Sequence, residues 1–283
     1  MNAHQYLKYH LFLLIVVTCF LESCTESIKV PGLDAQSNRL VVEALFTTEN
    51  RAYTVYLSRS TAFTNTSFPT EAGATVYIMD DQGNKIDFLE DEFELGTYFS
   101  AEIAAQPGRS YALHVITSDG TRYATTPETV PNAPAPIKNL GTVDGSDVDI
   151  NGNVFEYAQV EVTFDDPANE NNFYYWYWQA SSVEEFGTPD INWQNATESD
   201  ELFDGNETVY RFNSQYDKDF QEYVKVYQGA INEPAFIFLS NLRRQANNNQ
   251  VPIFPPGQSL KSNLFRLDNP EEPVLGYFIL AHV

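Results

Sequence analysis

Residues 39–46 read RLVVEALF, and apolar side chains recur at every second position, Leu40, Val42, Ala44 and Phe46. A period of two places alternate side chains on opposite faces of a β-strand. Glu43 then lies on the face opposite to the apolar set. The stretch therefore predicts a half-buried strand at the start of a β-rich body.

Further strands are predicted at residues 53–57, 75–79 and 86–89, and polar turns such as residues 118–120 (SDG) separate the strands of this half. Short strands at this spacing, with no convincing helix between them, are typical of antiparallel sandwiches. We predict that residues 39–136 form an Ig-like or transthyretin-like β-sandwich.

A second β-rich domain is predicted over residues 137–283, after four prolines between Pro127 and Pro136 that indicate an extended linker. Its clearest strand is residues 173–178, FYYWYW, which is aromatic on both faces and should be covered on both sides. Residues 142–153, TVDGSDVDINGN, are acidic and rich in Gly and Asn, and we expect a loop there.

One short helix is predicted within this second domain. Asn232 is a capping residue, Glu233 an acid and Pro234 a first-turn proline, a pattern typical of a helix N-terminus. The helix would cover residues 235–245. The predicted fold class is therefore mostly β: an N-terminal antiparallel sandwich followed by a second β-rich domain with one short helix.

The N-terminal segment has the pattern of an export signal. Residues 11–21, LFLLIVVTCFL, form an apolar run of 11 residues. A membrane-spanning helix needs about 20 apolar residues, so this run is typical of a cleaved signal peptide, predicted over residues 1–23. It ends in Leu21-Glu22-Ser23-Cys24, which has the order of a bacterial lipobox.

Cys24 is predicted to carry a lipid on its sulfur, palmitate being a typical acyl group. Each buried methylene contributes about 0.8 kcal/mol, so several acyl chains hold a protein firmly on a bilayer. An ordinary cleaved signal, with Cys24 incidental, is the alternative. Cys19 and Cys24 are the two cysteines of the chain, so neither a disulfide nor a Cys-based metal or catalytic site is expected in the folded part.

Residues 24–38 are predicted to form the lipidated cysteine and a tether. The 14 residues after Cys24 would span roughly 20 Å as a flexible coil. The folded body is therefore expected to lie close to the membrane.

The chain is strongly acidic, with 16 Lys and Arg against 39 Asp and Glu and a formal net charge of −23. A field of this sign repels nucleic acid and anionic lipid headgroups, so we expect neither as a partner of the folded body. The membrane is an expected partner only through the lipid anchor. The hydrophobic content of 43% excludes a wholly disordered chain.

One motif has the spacing of metal ligands. Asp147, Asp149 and Asn151 alternate and Gly152 follows, as in the first half of a calcium loop. The twelfth position, which needs an acid, holds Ala158. A solvated loop is the competing interpretation. We expect no cofactor, with Ca²⁺ as the one candidate.

Aromatic side chains form a candidate ligand-binding platform. Trp176 and Trp178 in the aromatic strand, with Trp193 in a polar loop, could stack on a sugar or another flat ligand. Core packing is the alternative interpretation for the strand residues, whereas a polar loop offers little to bury Trp193.

Enzymatic chemistry is not expected. Only His114 and His282 remain after removal of the signal, no motif surrounds either, and no GxSxG elbow is present. A glycosidase-like carboxylate pair is numerically available, but surface acids account for the same residues. We predict no catalytic residue.

Seven segments carry a resemblance to a known family. In chain order they are Cys24 and residues 39–44 (RLVVEA), 73–76 (GATV), 96–98 (GTY), 107–113 (PGRSYAL), 199–205 (SDELFDG) and 274–278 (VLGYF). Together they resemble a large bacterial lipoprotein family of unknown function, commonly encoded beside TonB-dependent outer-membrane receptors. The likeness covers nearly the whole chain after Cys24, and the family brings no established catalytic residues.

The resemblance implies a lipoprotein anchored to the outer membrane of a Gram-negative bacterium, on its periplasmic face or at the cell surface. It would capture a ligand for a TonB-dependent receptor, or cap that receptor, so that the cargo can be imported. A receptor-independent glycan-binding module that uses Trp193 is one alternative. A structural or adhesive surface lipoprotein is the other.

Overall fold

The structure is a computed structural model that describes residues 38–61, 68–148, 151–181, 197–202, 204–212, 223–247 and 260–283. The predicted signal peptide, Cys24 and the tether up to residue 37 lie outside the described residues. Within the described ranges the fold is mostly β with one α-helix, which confirms the predicted fold class at that level.

The strands of the N-terminal half are β1 Leu40–Thr47, β2 Thr54–Arg59, β3 Thr75–Asp80, β4 Lys85–Glu90, β5 Thr97–Ser100, β6 Ser110–Ile116, β7 Arg122–Thr125 and β8 Glu128–Thr129. Those that follow are β9 Ile137–Val148, β10 Val154–Asp165, β11 Phe173–Ser181, β12 Thr197–Ser199, β13 Glu207–Arg211, β14 Tyr223–Ile231, β15 Leu264–Arg266 and β16 Leu275–His282. Helix α1 spans Glu233–Asn247.

One large sheet contains 13 strands, in the order β12-β11-β14-β16-β1-β2-β5-β4-β3-β6-β7-β15, with β8 paired to β6. The sheet curls on itself, because Phe46 of β1 contacts Tyr111 of β6, five strands further along, with ring centroids 5.1 Å apart. The enclosed core contains the alternating set predicted for β1, including Leu40 and Val42.

The large sheet is mixed, because β16 runs parallel to β1, with Val42 opposite Gly276. The pairs within residues 39–136 are antiparallel, as predicted for that range, and the parallel pair joins β1 to a strand outside it. Strand β16 is apolar on both faces, and a strand buried on both faces needs a central position in a sheet. Strands from both sides of residue 136, the predicted domain boundary, share this sheet.

Strand β11 is covered on both sides, as predicted for the aromatic stretch. Tyr175 and Tyr177 face α1 in one core, and Tyr174 and Trp176 face the second, three-stranded sheet, ordered β13-β10-β9, in another. Helix α1 begins where predicted, because the Asn232 side-chain oxygen accepts a hydrogen bond of 2.9 Å from the Ala235 N–H.

The loop predicted over residues 142–153 is wrong for residues 142–148, which belong to β9 and pair with β10. Most side chains of β9 are exposed or half-buried, so the strand has no apolar alternation for a sequence pattern to reveal. Its position is set by pairing with β10 instead. The two strands pack closely, because a Cβ added at Gly145 would lie 2.5 Å from the Tyr157 ring.

Candidate functional site

The predicted aromatic platform is largely part of the core. Trp176 has no exposed surface, stacks on Tyr210 with centroids 4.4 Å apart, and donates a hydrogen bond of 2.6 Å to Gln228 Oε1. Trp178 lies half-buried against the same core. Trp193 lies outside the described residues. The structure therefore offers a ligand no access to the Trp176 ring.

The predicted calcium motif lies at the tip of the β9–β10 hairpin. Asp147 is the penultimate residue of β9, where its side chain accepts a hydrogen bond of 2.8 Å from the N–H of Val148. Asn151 lies in the turn that precedes β10, and Asp149 lies outside the described residues. The two described residues thus occupy one exposed hairpin end.

A different acidic group is the one with metal-like geometry among the described residues. Carboxylate oxygens of Asp166, Asp200 and Asp204 lie within 4.8 Å of one another, with Asp166 and Asp200 buried and Asp204 exposed. Such oxygens are the ligands that Ca²⁺ prefers. Residues 200 and 204 belong to the SDELFDG segment that carries the family resemblance, but no sequence pattern places Asp166 beside them.

The same three carboxylates also join two loops. Asp166 accepts hydrogen bonds from the Tyr174 hydroxyl at 2.6 Å and from the Gly205 N–H at 3.1 Å. Asp200 accepts from the Asn172 N–H at 2.7 Å, and Asp204 from the Asn169 N–H at 2.8 Å. Burial, followed by Asp166, raises the pKa of Tyr174 above its usual range. These hydrogen bonds from neighbouring groups explain why Asp166 and Asp200 can be buried.

A second feature, which we name the tether-side patch, is an exposed apolar surface on the N-terminal half. Of the twelve large apolar side chains that are exposed in the described ranges, six lie between residues 56 and 99. The members of the patch are Tyr56, Phe68, Leu89, Phe93, Leu95 and Phe99. Phe93 is 93% exposed and Leu89 is 75% exposed.

Strand alternation explains why three members of the patch point outwards. Their neighbours Val55, Phe88 and Tyr98 are buried in the first core, so the next side chains along β2, β4 and β5 lie on the outer face. Leu89 is directly opposite Phe99 in the β4–β5 pair. Strands β2, β5 and β4 are adjacent, which makes this part of the patch continuous.

The remaining members lie in adjacent loops at one end of these strands. Phe93 and Leu95 belong to the β4–β5 loop, residues 91–96, and Phe68 precedes a segment that pairs with β2 through Thr70. The loop and the segment are in contact, since a Cβ at Gly96 would lie 2.9 Å from the Thr70 Cβ.

This end of the sheet is also the end at which β1 begins. Leu40, the first residue of β1, is opposite Arg59, the last residue of β2. Strand β5 starts alongside that end of β2, with Thr97 opposite Tyr56. Residue 38, where the described chain begins, therefore lies on the same side of the body as the β4–β5 loop.

The β4–β5 loop is held by its own hydrogen bonds. Glu90 accepts from the Gly96 N–H at 2.9 Å and from the Gly73 N–H at 2.8 Å. Asp91 accepts from the Phe93 N–H at 2.6 Å and from the Glu94 N–H at 3.0 Å. Burial raises the pKa of the adjoining Tyr98 to about 12, so its hydroxyl remains protonated and donates to Glu71 O at 2.9 Å.

Sequence reasoning missed this patch, although a signal for it was present. Residues 87–95 read DFLEDEFEL, in which large apolar side chains recur between acids without the regular alternation of a strand. Only the positions of Phe88 and Leu89 are explained by β4. Phe93, between Glu92 and Glu94, lies in a loop and therefore belongs to no strand face that could pack against the core.

These observations define a mostly β protein built on one curled mixed sheet, with a second small antiparallel sheet against it. The chain belongs to the DUF4249 family, a domain of unknown function whose family model matches residues 25–283. This match confirms the predicted membership of a family of unknown function. No curated protein matches the chain. In the described part of the chain, no helix has the length and apolarity to cross a membrane.

Proposed function

We propose that this protein is an outer-membrane lipoprotein, anchored through Cys24, that serves as an accessory ligand-capture or capping component of a TonB-dependent import system. The anchor is supported by the Leu21-Glu22-Ser23-Cys24 motif and by the apolar run before it. The receptor partnership is supported by the family resemblance. The proposal requires no cofactor and no catalytic residue.

The observation that carries the proposal is the position of the tether-side patch. The tether would join the body at residue 38, and the loop members of the patch, Phe93 and Leu95, lie at that same end of the sheet. A body held through Cys24 would therefore turn these loop residues towards the membrane. A protein embedded in that membrane is the partner that such a patch would meet, and a TonB-dependent receptor is a protein of this kind.

Two measurements on the full chain test the proposal. Cells labelled with radioactive palmitate should yield a labelled protein that sediments with outer membranes, and Cys24→Ala should abolish both properties. Affinity purification of the tagged wild-type protein from solubilised outer membranes should recover a large receptor barrel.

The two measurements fail in different ways. Equal palmitate labelling of Cys24→Ala would contradict the anchor. Recovery of only abundant envelope proteins would contradict the receptor partnership and leave the anchor unaffected.

A further inference from the structure

The tether-side patch concentrates apolar surface in a way that folding does not require. Soluble proteins expose single apolar side chains widely, but contiguous exposed patches generally mark interaction sites. Phe93 is almost fully exposed, at 93%, so its ring contributes nothing to the core of the described structure. An exposed aromatic ring with no packing role is costly in water, and contact with a partner would remove that cost.

The β4–β5 loop members of the patch are held by contacts within the protein itself. The Phe93 N–H donates a hydrogen bond to the Asp91 side chain. Leu95 lies next to Gly96, whose N–H donates a hydrogen bond to the Glu90 side chain. Gly96 has a positive φ of +84°, and a Cβ there would lie 2.7 Å from Leu57 O, so the loop is fitted closely against β2. A fixed loop loses little conformational entropy on binding, which favours a specific contact.

The charge around the patch restricts the occupant. Asp87, Glu92 and Glu94 are exposed beside Leu89, Phe93 and Leu95. Asp87 forms an ion pair with Lys85 at 2.5 Å, whereas Glu92 and Glu94 form no ion pair with any described cation. Two exposed carboxylates next to a protruding phenylalanine complement a surface that carries lysine or arginine beside apolar side chains.

A lipid surface fits these residues poorly. Burial of Phe93 among acyl chains would draw Glu92 and Glu94 into the headgroup region, where a carboxylate is costly to desolvate and anionic lipids repel it. Membrane-binding surfaces instead place Lys and Arg beside their apolar residues.

We propose that the tether-side patch docks on a membrane-embedded protein that presents apolar side chains flanked by lysine or arginine, with Phe93 as the central contact. The inference rests on the proposed function for the membrane-facing orientation of this end. It adds the chemistry of the partner surface, and it names Glu92 and Glu94 as the charges that this surface matches.

Site-specific crosslinking in intact cells tests the proposal with the full chain. Phe93 is replaced by the photo-crosslinking amino acid p-benzoylphenylalanine, the cells are irradiated, and the tagged protein is purified under denaturing conditions. We expect a protein adduct of discrete, higher mass. The same replacement at Ile237, which is 49% exposed on α1, is the control and should give no such adduct.

A charge reversal tests the chemistry of the partner. Glu94→Lys should lower the yield of the position 93 adduct about tenfold, because the new lysine would face lysine or arginine of the partner, and like charges across an interface are unfavourable. Glu102→Lys is the matched control, because Glu102 is an exposed acid beyond the opposite end of β5 and should leave the yield unchanged.

Each outcome has one meaning. A protein adduct that Glu94→Lys reduces supports the docking surface. An adduct with lipid alone, no adduct at position 93, or an adduct that Glu94→Lys leaves undiminished overturns it. If the adduct contains a protein other than a receptor barrel, the docking surface stands and the proposed function fails. If a receptor barrel co-purifies with no adduct at position 93, the proposed function stands and the docking surface fails.

Discussion

The hydroxyl of Tyr277, in the central strand β16, donates a hydrogen bond of 3.0 Å to the carboxylate of Glu128, in β8. The same carboxylate accepts hydrogen bonds from Asn232 at 2.7 Å and from Asn263 at 2.8 Å. Glu128 is buried, and burial raises the pKa of Tyr277 above its usual range, followed by the nearby Glu128 charge. One carboxylate thus joins the N-terminal half to the start of α1 and to β16.

Replacement of Glu128 should destabilise the protein strongly. Glu128→Ala leaves three donors without this acceptor inside the protein, and we expect a loss of about 3 kcal/mol in the free energy of unfolding, measured in urea. Glu102→Ala, at an exposed acid, is the control and should change it by less than about 0.5 kcal/mol. Similar losses in the two variants would show that the Glu128 network is not structural.

Gly276 should tolerate no side chain. It has a φ of +85°, and a Cβ there would lie 1.9 Å from Val42 O, so Gly276→Ala must separate β16 from β1. We expect a loss of more than about 4 kcal/mol, or no folded protein. Gly83→Ala isolates the cost of positive φ, because Gly83 has a φ of +83° with no atom within 4 Å of the added Cβ.

The control should lose only about 1–2 kcal/mol, the ordinary cost of a left-handed conformation for an L-residue. Thermal unfolding of both variants gives the comparison. A Gly276→Ala protein as stable as Gly83→Ala would contradict the close approach of the two strands.

The three-aspartate network predicts a difference between neighbouring acids. Asp166→Ala removes the acceptor of both the Tyr174 hydroxyl and the Gly205 N–H, and we expect a loss of about 2 kcal/mol in unfolding free energy. Asp165→Ala should cost less than about 1 kcal/mol, because Asp165 is exposed and its bond to Lys138, at 2.9 Å, is a surface ion pair. Equal losses in denaturant unfolding would refute the role given to Asp166.

His114 predicts a pH dependence of stability. Its ring stacks on Tyr77 with centroids 4.8 Å apart, and burial lowers the pKa of His114 below its ordinary value. The unfolded chain therefore binds the proton more readily than the folded one. The stabilisation is fully present above the unfolded pKa of about 6.5 and is lost as the pH falls through that value towards the folded pKa.

A variant without the titrating group provides the measurement. His114→Phe retains a stacked ring, so between pH 7.5 and pH 5.0 the wild type should lose more unfolding free energy than the variant. The acids of the chain titrate in both proteins, so the difference between the two isolates His114. Parallel losses would contradict a lowered pKa for His114.

Much of the sheet was predictable where a strand has at least one buried face. The alternation at Leu40 and Val42 fixed β1, and the aromatic run around Trp176 indicated a strand covered on both sides. Strand β9 lacks a buried face, so its residues resembled a loop. The pairing of β16 with β1 could not be predicted either, because two strands more than 200 residues apart leave no local pattern in the sequence that shows their pairing.

The candidate site was harder to predict than the fold. Trp176 offered the strongest local signal for ligand binding, and it is a core residue hydrogen-bonded to Gln228. Phe93 has no regular pattern around it, and its importance depends on where the start of β1 lies in space. A functional surface assembled from loop residues at one sheet end becomes visible only after the strand order is known.

The parallel contact of β16 with β1 has a consequence for how the molecule matures. A chain made from its N-terminus presents β1 long before residues 275–282 exist, so one edge of β1 waits with free backbone groups while more than 200 residues are added. Until then the nascent half exposes an unpaired strand edge, which is prone to pair with other chains.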